Sequence, residues 1–236
     1  MRILAVVCIL VFAQACAFGL ANNQLYVGDA STVAPGRTQL QLFTDTARPS
    51  SARLGGTQLR RGLTDNAELK LAYSYLWNNK GPNAQIGPNV GAKWRFAGDG
   101  LRKPSLAVAA LYAVSKVSGA PSRQKGFGMT LVGSRSVRFA HVLLNYGRAW
   151  LSGNASDLRY IGLALVRPTS KHMLVALEYS DVERLGNSGP PAPGRQFAAG
   201  VIYSSASRWT YSAETGYLPD TATAKWHTTL GVSTTF

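Results

Sequence analysis

Residues 226–236 constrain this chain more than any other stretch. Every second residue back from Phe236 is Thr234, Val232, Leu230, Thr228 and Trp226, and the residues between are Thr235, Ser233, Gly231, Thr229 and His227. One row is apolar with an aromatic at each end, and the other is small and polar. Alternation with period two sends the two rows to opposite faces of a strand. A strand of ~9–11 residues crosses a bilayer when tilted. One strand cannot cross alone, because its unpaired N–H and C=O groups would face hydrocarbon; only a closed ring of strands removes that cost.

The opposite end of the chain agrees. Met1-Arg2 precedes the apolar run 3–13, and the small residues Ala15, Cys16 and Ala17 follow. That order of charge, apolar run and small residues is the layout of a secretory signal peptide, and the run is too short for a membrane-spanning helix. Cleavage after Ala17 is expected. The alternative is a cut before Cys16 with lipidation, which Ala13 disfavours where a Leu would be expected. Phe236, with Gly231 and Thr229 upstream, resembles the C-terminal signal read by the bacterial outer-membrane insertion machinery, while Thr234 departs from it. Cys8 and Cys16 are the only cysteines, so the exported body has no disulfide to hold it together. Closure of the sheet supplies the alternative.

Removing 17 residues from 236 leaves 219, enough for one mid-sized barrel. No later window holds an uninterrupted apolar run of ~20 residues, which excludes a helical membrane protein. The formal charge is +14. In a cytoplasmic protein such an excess points to nucleic acid; behind a signal peptide the natural anionic partner is lipid phosphate, and no nucleic acid is expected.

The alternation divides residues 37–236 into twelve strands, after a lead-in at 18–36 expected on the periplasmic side. The first strand, near 37–44, sets Leu40 and Leu42 against Gln39 and Gln41. The second, near 53–61, is interrupted by Arg60-Arg61, and 62–66 is a tight turn. The third, 67–77, sends Leu69, Leu71, Tyr73, Tyr75 and Trp77 outward and Glu68, Lys70, Ala72 and Ser74 inward. The fourth ends at Phe96 with Val90, Ala92 and Trp94 against Asn89, Gly91, Lys93 and Arg95. Eight more strands follow, carrying the outward rows that begin at Leu106, Met129, Ala140, Ile161, Met173, Phe197, Trp209 and Trp226. Short connections at 63–66, 98–104, 134–138, 168–171 and 204–208 alternate with longer ones at 45–52, 78–86, 115–125, 150–157, 181–195 and 218–224. An even strand count with short turns on one side and longer loops on the other is the pattern of an outer-membrane barrel with both termini periplasmic. Trp77, Tyr146, Tyr179, Tyr217 and Trp226 fall at loop ends. Trp94, Phe96, Phe139, Trp209 and Phe236 fall at turn ends, where aromatic belts sit.

The inward charges Arg60, Glu68, Lys70, Lys93, Arg95, Glu178 and Glu214 are the lumen-lining candidates. They read either as a constriction that filters solutes or as an ion-pair network holding the barrel shut. Inward Gly91, Ala107, Ala109, Gly126, Gly128, Gly147, Gly162, Ala164, Ala198, Gly200 and Gly216 leave space, and Leu111, Leu143, Leu174 and Ile202 make parts of the lining apolar. His141, His172 and His227 are too scattered for a metal site, and no nucleophile–base–orienter signature or phosphate-binding loop accompanies them. No cofactor is expected. A His within hydrogen-bond reach of a Ser at the membrane rim would favour an enzyme, and a filled lumen a structural role. Arg53, Lys80, Arg123, Lys125, Arg184 and Arg195, near the loop ends, read either as contacts to outer-leaflet lipid phosphates or as a solvated rim.

Three stretches carry a family resemblance: Gly62-Leu63-Thr64-Asp65-Asn66-Ala67-Glu68-Leu69, Gly91-Ala92-Lys93-Trp94-Arg95-Phe96, and Pro104-Ser105-Leu106-Ala107. With the lead-in Val33-Ala34-Pro35-Gly36-Arg37 they resemble the outer-membrane barrels of a transporter family of phenol (meta-cleavage) degradation pathways, over about residues 33–113. The resemblance implies transport of a small molecule and specifies the cargo only loosely. The expectation is a twelve-stranded antiparallel outer-membrane barrel for small, hydrophobic or aromatic solutes, with no enzymatic activity. Its expected partners are outer-membrane lipids and the barrel-insertion machinery. The alternative is a non-conducting structural or surface-binding barrel.

Overall fold

The computed structural model describes residues 29–49, 52–79, 81–152, 157–186, 194–221 and 225–236; the signal peptide expected at 1–17 and the first part of the lead-in lie outside them. The strands are β1 (Thr38–Arg48), β2 (Ala52–Thr64), β3 (Ala67–Asn78), β4 (Ala84–Ala97), β5 (Ser105–Val117) and β6 (Gln124–Val137). They continue as β7 (Ala140–Leu151), β8 (Asp157–Pro168), β9 (Met173–Leu185), β10 (Gly194–Ser204), β11 (Trp209–Tyr217) and β12 (Trp226–Thr235). Each pairs antiparallel with its sequence neighbours, and β1 pairs with β12 to close the ring of twelve. At that seam Thr38 and Phe236 each donate a backbone N–H to the other's carbonyl, at 2.8 and 2.9 Å.

Alternation decides which way every strand faces. On β3, Glu68, Lys70, Ala72, Ser74 and Leu76 are buried while Leu69, Leu71, Tyr73 and Trp77 are exposed. The expected inward Gly and Ala positions are all buried, as are Leu111, Leu143 and Ile202. The outer face carries the exposed Leu42, Leu71, Leu131, Leu144, Leu163, Leu177, Val201 and Leu230, a continuous apolar band far larger than a water-soluble monomer shows. Trp226 and Phe236 lie ten positions apart on this face. At ~3.3 Å per residue and a tilt of ~40°, that is roughly 25 Å, the height of such a band.

Two aromatic belts bound it. At the end away from the termini, here the far end, Tyr75 meets Trp77 (ring centroids 4.9 Å) and Phe127 stacks on Trp150 (5.8 Å). Tyr179 meets Phe197 (5.2 Å) and Tyr217 meets Trp226 (4.8 Å) on the same side. At the terminal end Trp94 meets Phe96 at 5.9 Å. Trp150, expected in a loop, closes β7 and takes the belt position expected for Tyr146, which pairs with Ile161 deeper in the sheet.

The strands outrun the apolar pattern. β1 continues through Asp45, Thr46 and Ala47 to Arg48, and β9 through Asp181 to Leu185, so the far-end loops are shorter than the alternation suggested. Hydrogen bonding extends the wall beyond the hydrocarbon band, where polar residues no longer need to alternate with apolar ones. On β2, Arg60 is buried and Arg61 exposed, so the pair that seemed to interrupt the strand is one inward and one outward cation. The β3–β4 register shifts between Ala72 and Ser74, opposite Gly87 and Pro88; proline has no N–H for the ladder and sits at the break.

Candidate functional site: the barrel lumen

The inner face carries two separate groups of charge. The first lies on β2, β3 and β4. Arg60 and Glu68 are diagonal neighbours across the β2–β3 ladder, and Arg60 donates Nε to Oε1 at 3.0 Å and an Nη to Oε2 at 2.6 Å. Its other Nη reaches Gln39 Oε1 at 2.8 Å. Register places Glu68 opposite Lys93, whose Nζ lies 3.5 Å from Oε1. Lys70, buried, faces Arg60 across the same ladder. Two-pronged pairing of guanidinium to carboxylate is what makes this burial tolerable.

The described part of the lead-in enters this group. Val33 donates its N–H to Glu68 Oε2 at 2.8 Å, Lys93 donates to the carbonyls of Asp29 and Ser31, and Thr32 donates to the Asp65 carbonyl at 2.7 Å. Ala30, 0% exposed, packs against Ala107 and Val132 on β5 and β6. Residues 29–36 therefore form a strap from the β2–β3 turn past β4 to β5 and β6. Gly62 permits the approach: a Cβ there would overlap the carbonyl oxygens of Ala34 and Val33. Burial raises the Asp29 pKa, but hydrogen bonds from the Ser31 side chain and backbone and from Ser134, with Lys93 nearby, outweigh it and lower the carboxyl below its usual value.

The second group is acidic and lies on β1, β9, β11 and β12. Asp45, Glu178, Glu214 and His227 are all buried. Asp45 accepts a hydrogen bond from Thr229 Oγ1 at 3.2 Å and lies 3.6 Å from His227 Nδ1. The His227 ring occupies the space over Gly216, where a Cβ would overlap it. Both carboxylate oxygens of Glu214 are buried without a hydrogen bond. Strand β9 stands six places from β3 in the ring of twelve, so Glu178 faces the basic group from the opposite wall, while Asp45 lies on β1, next to β2.

Apolar side chains line the rest of the inner face. Leu54, Leu76, Ile86 and Val117 cluster toward the far end of β2–β5. Leu111, Leu151, Leu158 and Val182 form a second cluster, and Leu143, Val166 and Ile202 a third with Leu174 against it. The lining is closely packed: Leu111 is 1% exposed and Thr130 2%.

The other expected positions divide. Arg95 stands at the terminal mouth, where it donates to Asn66 Oδ1 at 2.8 Å and to the Asp65 carbonyl at 2.9 Å, clamping the β2–β3 turn. Gly231 faces Phe43 and Ser212 on its two neighbouring strands, and Phe236 is exposed on the outer belt. Of the loop-end cations, Arg184 is turned inward and Arg195 pairs with Asp220 at 2.9 Å; Lys80 lies outside the described residues. Ser136 Oγ and His141 Nδ1 lie 2.8 Å apart, opposite each other on β6 and β7. They sit on the luminal side near the turn rather than the outer rim, and no carboxylate among the described residues hydrogen-bonds His141, so the orienting group of a catalytic set is missing. Asp45 and His227 were missed as site residues, the first because it was placed in a loop. The even spacing of Gln39, Gln41 and Asp45 is the signal that locates it.

The fold matches solved outer-membrane channels. The chain is similar to a structure described as NanC porin (TM-score 0.64, 11% identity, covering 83% of this chain and 98% of that one). It is similar to KdgM porin (TM-score 0.59, 10% identity, 84% and 99%). It is similar also to an outer membrane channel from Pseudomonas putida F1 (TM-score 0.58, 10% identity, 89% and 98%). No family model matches the chain, and no curated protein sequence matches it. The chain is an all-β, closed, twelve-stranded antiparallel barrel of the outer-membrane porin architecture.

Proposed function

We propose that this barrel is an outer-membrane channel for small molecules with an apolar, for instance aromatic, body and a polar end, inserted with both termini and the strap on the periplasmic side. The observation that carries the reading is the division of the inner face. Apolar clusters around Leu54, Leu111 and Leu143 alternate with a basic wall at Arg60, Lys70 and Lys93 and an acidic wall at Asp45, Glu178 and Glu214. A wide aqueous pore has no use for such clusters, whereas a solute with one greasy and one polar side meets a partner at each level. The porin-type fold and the likeness of residues 33–113 to barrels of aromatic-degradation pathways support the same reading.

A second reading is a non-conducting structural barrel, favoured by the close packing of Leu111 and Thr130 and by the strap across the terminal mouth. Single-channel conductance of the refolded protein separates the two. Discrete steps blocked by millimolar benzoate or benzylamine, and altered in selectivity by Glu178→Gln, are expected for the channel. A silent protein whose heat-modifiable gel mobility shows a folded barrel, and which remains silent without residues 29–35, establishes the structural role instead.

A further inference from the structure

The eleven acidic side chains of the sequence are unevenly placed. At the far end Asp157, Asp181, Glu183 and Asp220 share the rim with Arg148, Arg159 and Arg195, and three ion pairs result: Arg148–Asp157, Arg159–Glu183 and Arg195–Asp220. Arg48, Arg53, Lys116, Arg123, Lys125, Arg184 and Lys225 also lie toward the far end, so it too is basic. The terminal end has fewer acids. Arg37, Arg61, Arg95, Arg102, Lys103, Arg135, Arg138, Arg167, Lys171 and Arg208 are gathered there, against Asp65 and Asp99 in the turns. Asp99 is already occupied, because its Oδ1 accepts the backbone N–H groups of Leu101, Arg102 and Lys103 at 2.9–3.1 Å. No ion pair among the described residues engages any of the ten cations. Arg61 donates to Thr38 Oγ1 and Arg95 clamps its turn; the nine other than Arg95 are exposed.

Their distribution identifies the partner. Arg61 on β2, Arg135 on β6 and Arg167 on β8 belong to the outward rows of their strands. Arg102, Arg138, Lys171 and Arg208 occupy turns between them, so the charge surrounds the barrel instead of forming a patch on one side. It lies beside the belt of Trp94, Phe96, Phe139, Trp209 and Phe236, all exposed. A protein or nucleic acid docks on one face; only the lipid annulus touches every strand at once. We propose that the terminal end of the barrel is a binding ring for the phosphate headgroups of anionic phospholipid in the adjoining leaflet, with the belt aromatics seating the glycerol and upper acyl chains. This rests on the bilayer placement proposed above and not on conduction. Each basic residue near an anionic surface favours association by about fivefold, and salt screens the effect.

The test uses the full-length barrel with Trp77, Trp150 and Trp226 changed to Phe, which leaves Trp94 and Trp209 as reporters at the terminal end. It is reconstituted in phosphatidylcholine containing brominated phosphatidylglycerol or brominated phosphatidylcholine. Quenching is expected to show phosphatidylglycerol enriched several-fold around these two tryptophans. The enrichment is expected to fall toward unity in the combined Arg61→Gln, Arg135→Gln, Arg138→Gln, Arg167→Gln variant and to survive when the same four become Lys. Where the Gln variant does not fold, raising NaCl on the parent from about 0.05 to about 0.5 M is expected to remove the enrichment. Equal quenching by the two lipids, or enrichment indifferent to both the Gln changes and salt, overturns the proposal.

Discussion

Val33 donates its backbone N–H to Glu68 Oε2 at 2.8 Å, the same oxygen that accepts an Nη of Arg60 at 2.6 Å. One carboxylate thus holds the strap, neutralises a buried guanidinium and faces Lys93 at 3.5 Å. Glu68→Gln keeps the side-chain shape and removes the charge, taking from Arg60 its carboxylate partner on the inner wall. Breaking a buried pair on one side costs about 3–5 kcal/mol. Refolding titrations in urea, followed by heat-modifiable mobility, are expected to shift by that order, with Arg60→Gln in the same background recovering part of the loss. A neutral effect of Glu68→Gln would mean that the pair adds nothing.

Gly62→Val tests the strap without touching a charge. Its side chain overlaps the Ala34 and Val33 carbonyls, so the strap must leave while the barrel stays closed. In a background lacking Cys8 and Cys16, Val33→Cys replaces a side chain that is 8% exposed and is expected to react slowly with a maleimide. Adding Gly62→Val is expected to raise that rate by at least about tenfold, the signature of a local opening stabilised by ~1.4 kcal/mol or more. An unchanged rate shows a strap that is held elsewhere.

Gly216 lies under the His227 ring. Gly216→Ala forces the ring off its seat and is expected to destabilise by about 1–3 kcal/mol, the usual cost of overpacking. Gly216→Ala combined with His227→Ala removes the collision, so the pair of changes is expected to cost less than the sum of the single ones. Additive losses would show that the two sites do not interact.

Asp220 is expected to titrate low. The Arg195 side-chain and backbone hydrogen bonds hold its carboxyl down to about 2, against ~3.9 in an unfolded chain. A depressed folded value means that the clasp contributes fully above ~4 and is lost as pH falls through about 2. Carboxyl chemical shifts across pH 5 to 1.5 are expected to place the Asp220 midpoint near 2 and to return it toward ordinary values in Arg195→Gln.

Arg159→Gln, by contrast, is expected to change stability by less than about 1 kcal/mol, because its partner Glu183 is exposed and solvent screens the pair. A larger loss in urea unfolding would show that the far-end rim is more tightly coupled than its exposure suggests.

The faces of the strands were legible in the sequence because lipid on one side and a lumen on the other enforce period two over long runs. From Leu69 to Trp77 every residue faces as the alternation requires. Strand ends were less legible, since beyond the hydrocarbon band Asp45 and Asp181 continue the ladder without any apolar signal. Glu68 with Lys93 could be paired from register, but the strap could not: Val33 reaches Glu68 through its backbone N–H, which every residue but proline possesses. The loop-end cations were read as one class. Only the three-dimensional placement of Asp157, Glu183 and Asp220 shows that the far-end rim is partly neutralised and the terminal one is not.

Bases on β2–β4 and Glu178 on β9 stand on opposite walls. With these groups ionised, an electrical gradient runs across the bore between these two walls. Such a gradient does no net work on an ion that enters and leaves on the axis, yet it exerts a torque on any molecule whose charge is unevenly spread. If the barrel conducts as proposed, a bore built this way sorts molecules by the orientation they can adopt, and two isomers of equal size and charge are expected to cross at different rates.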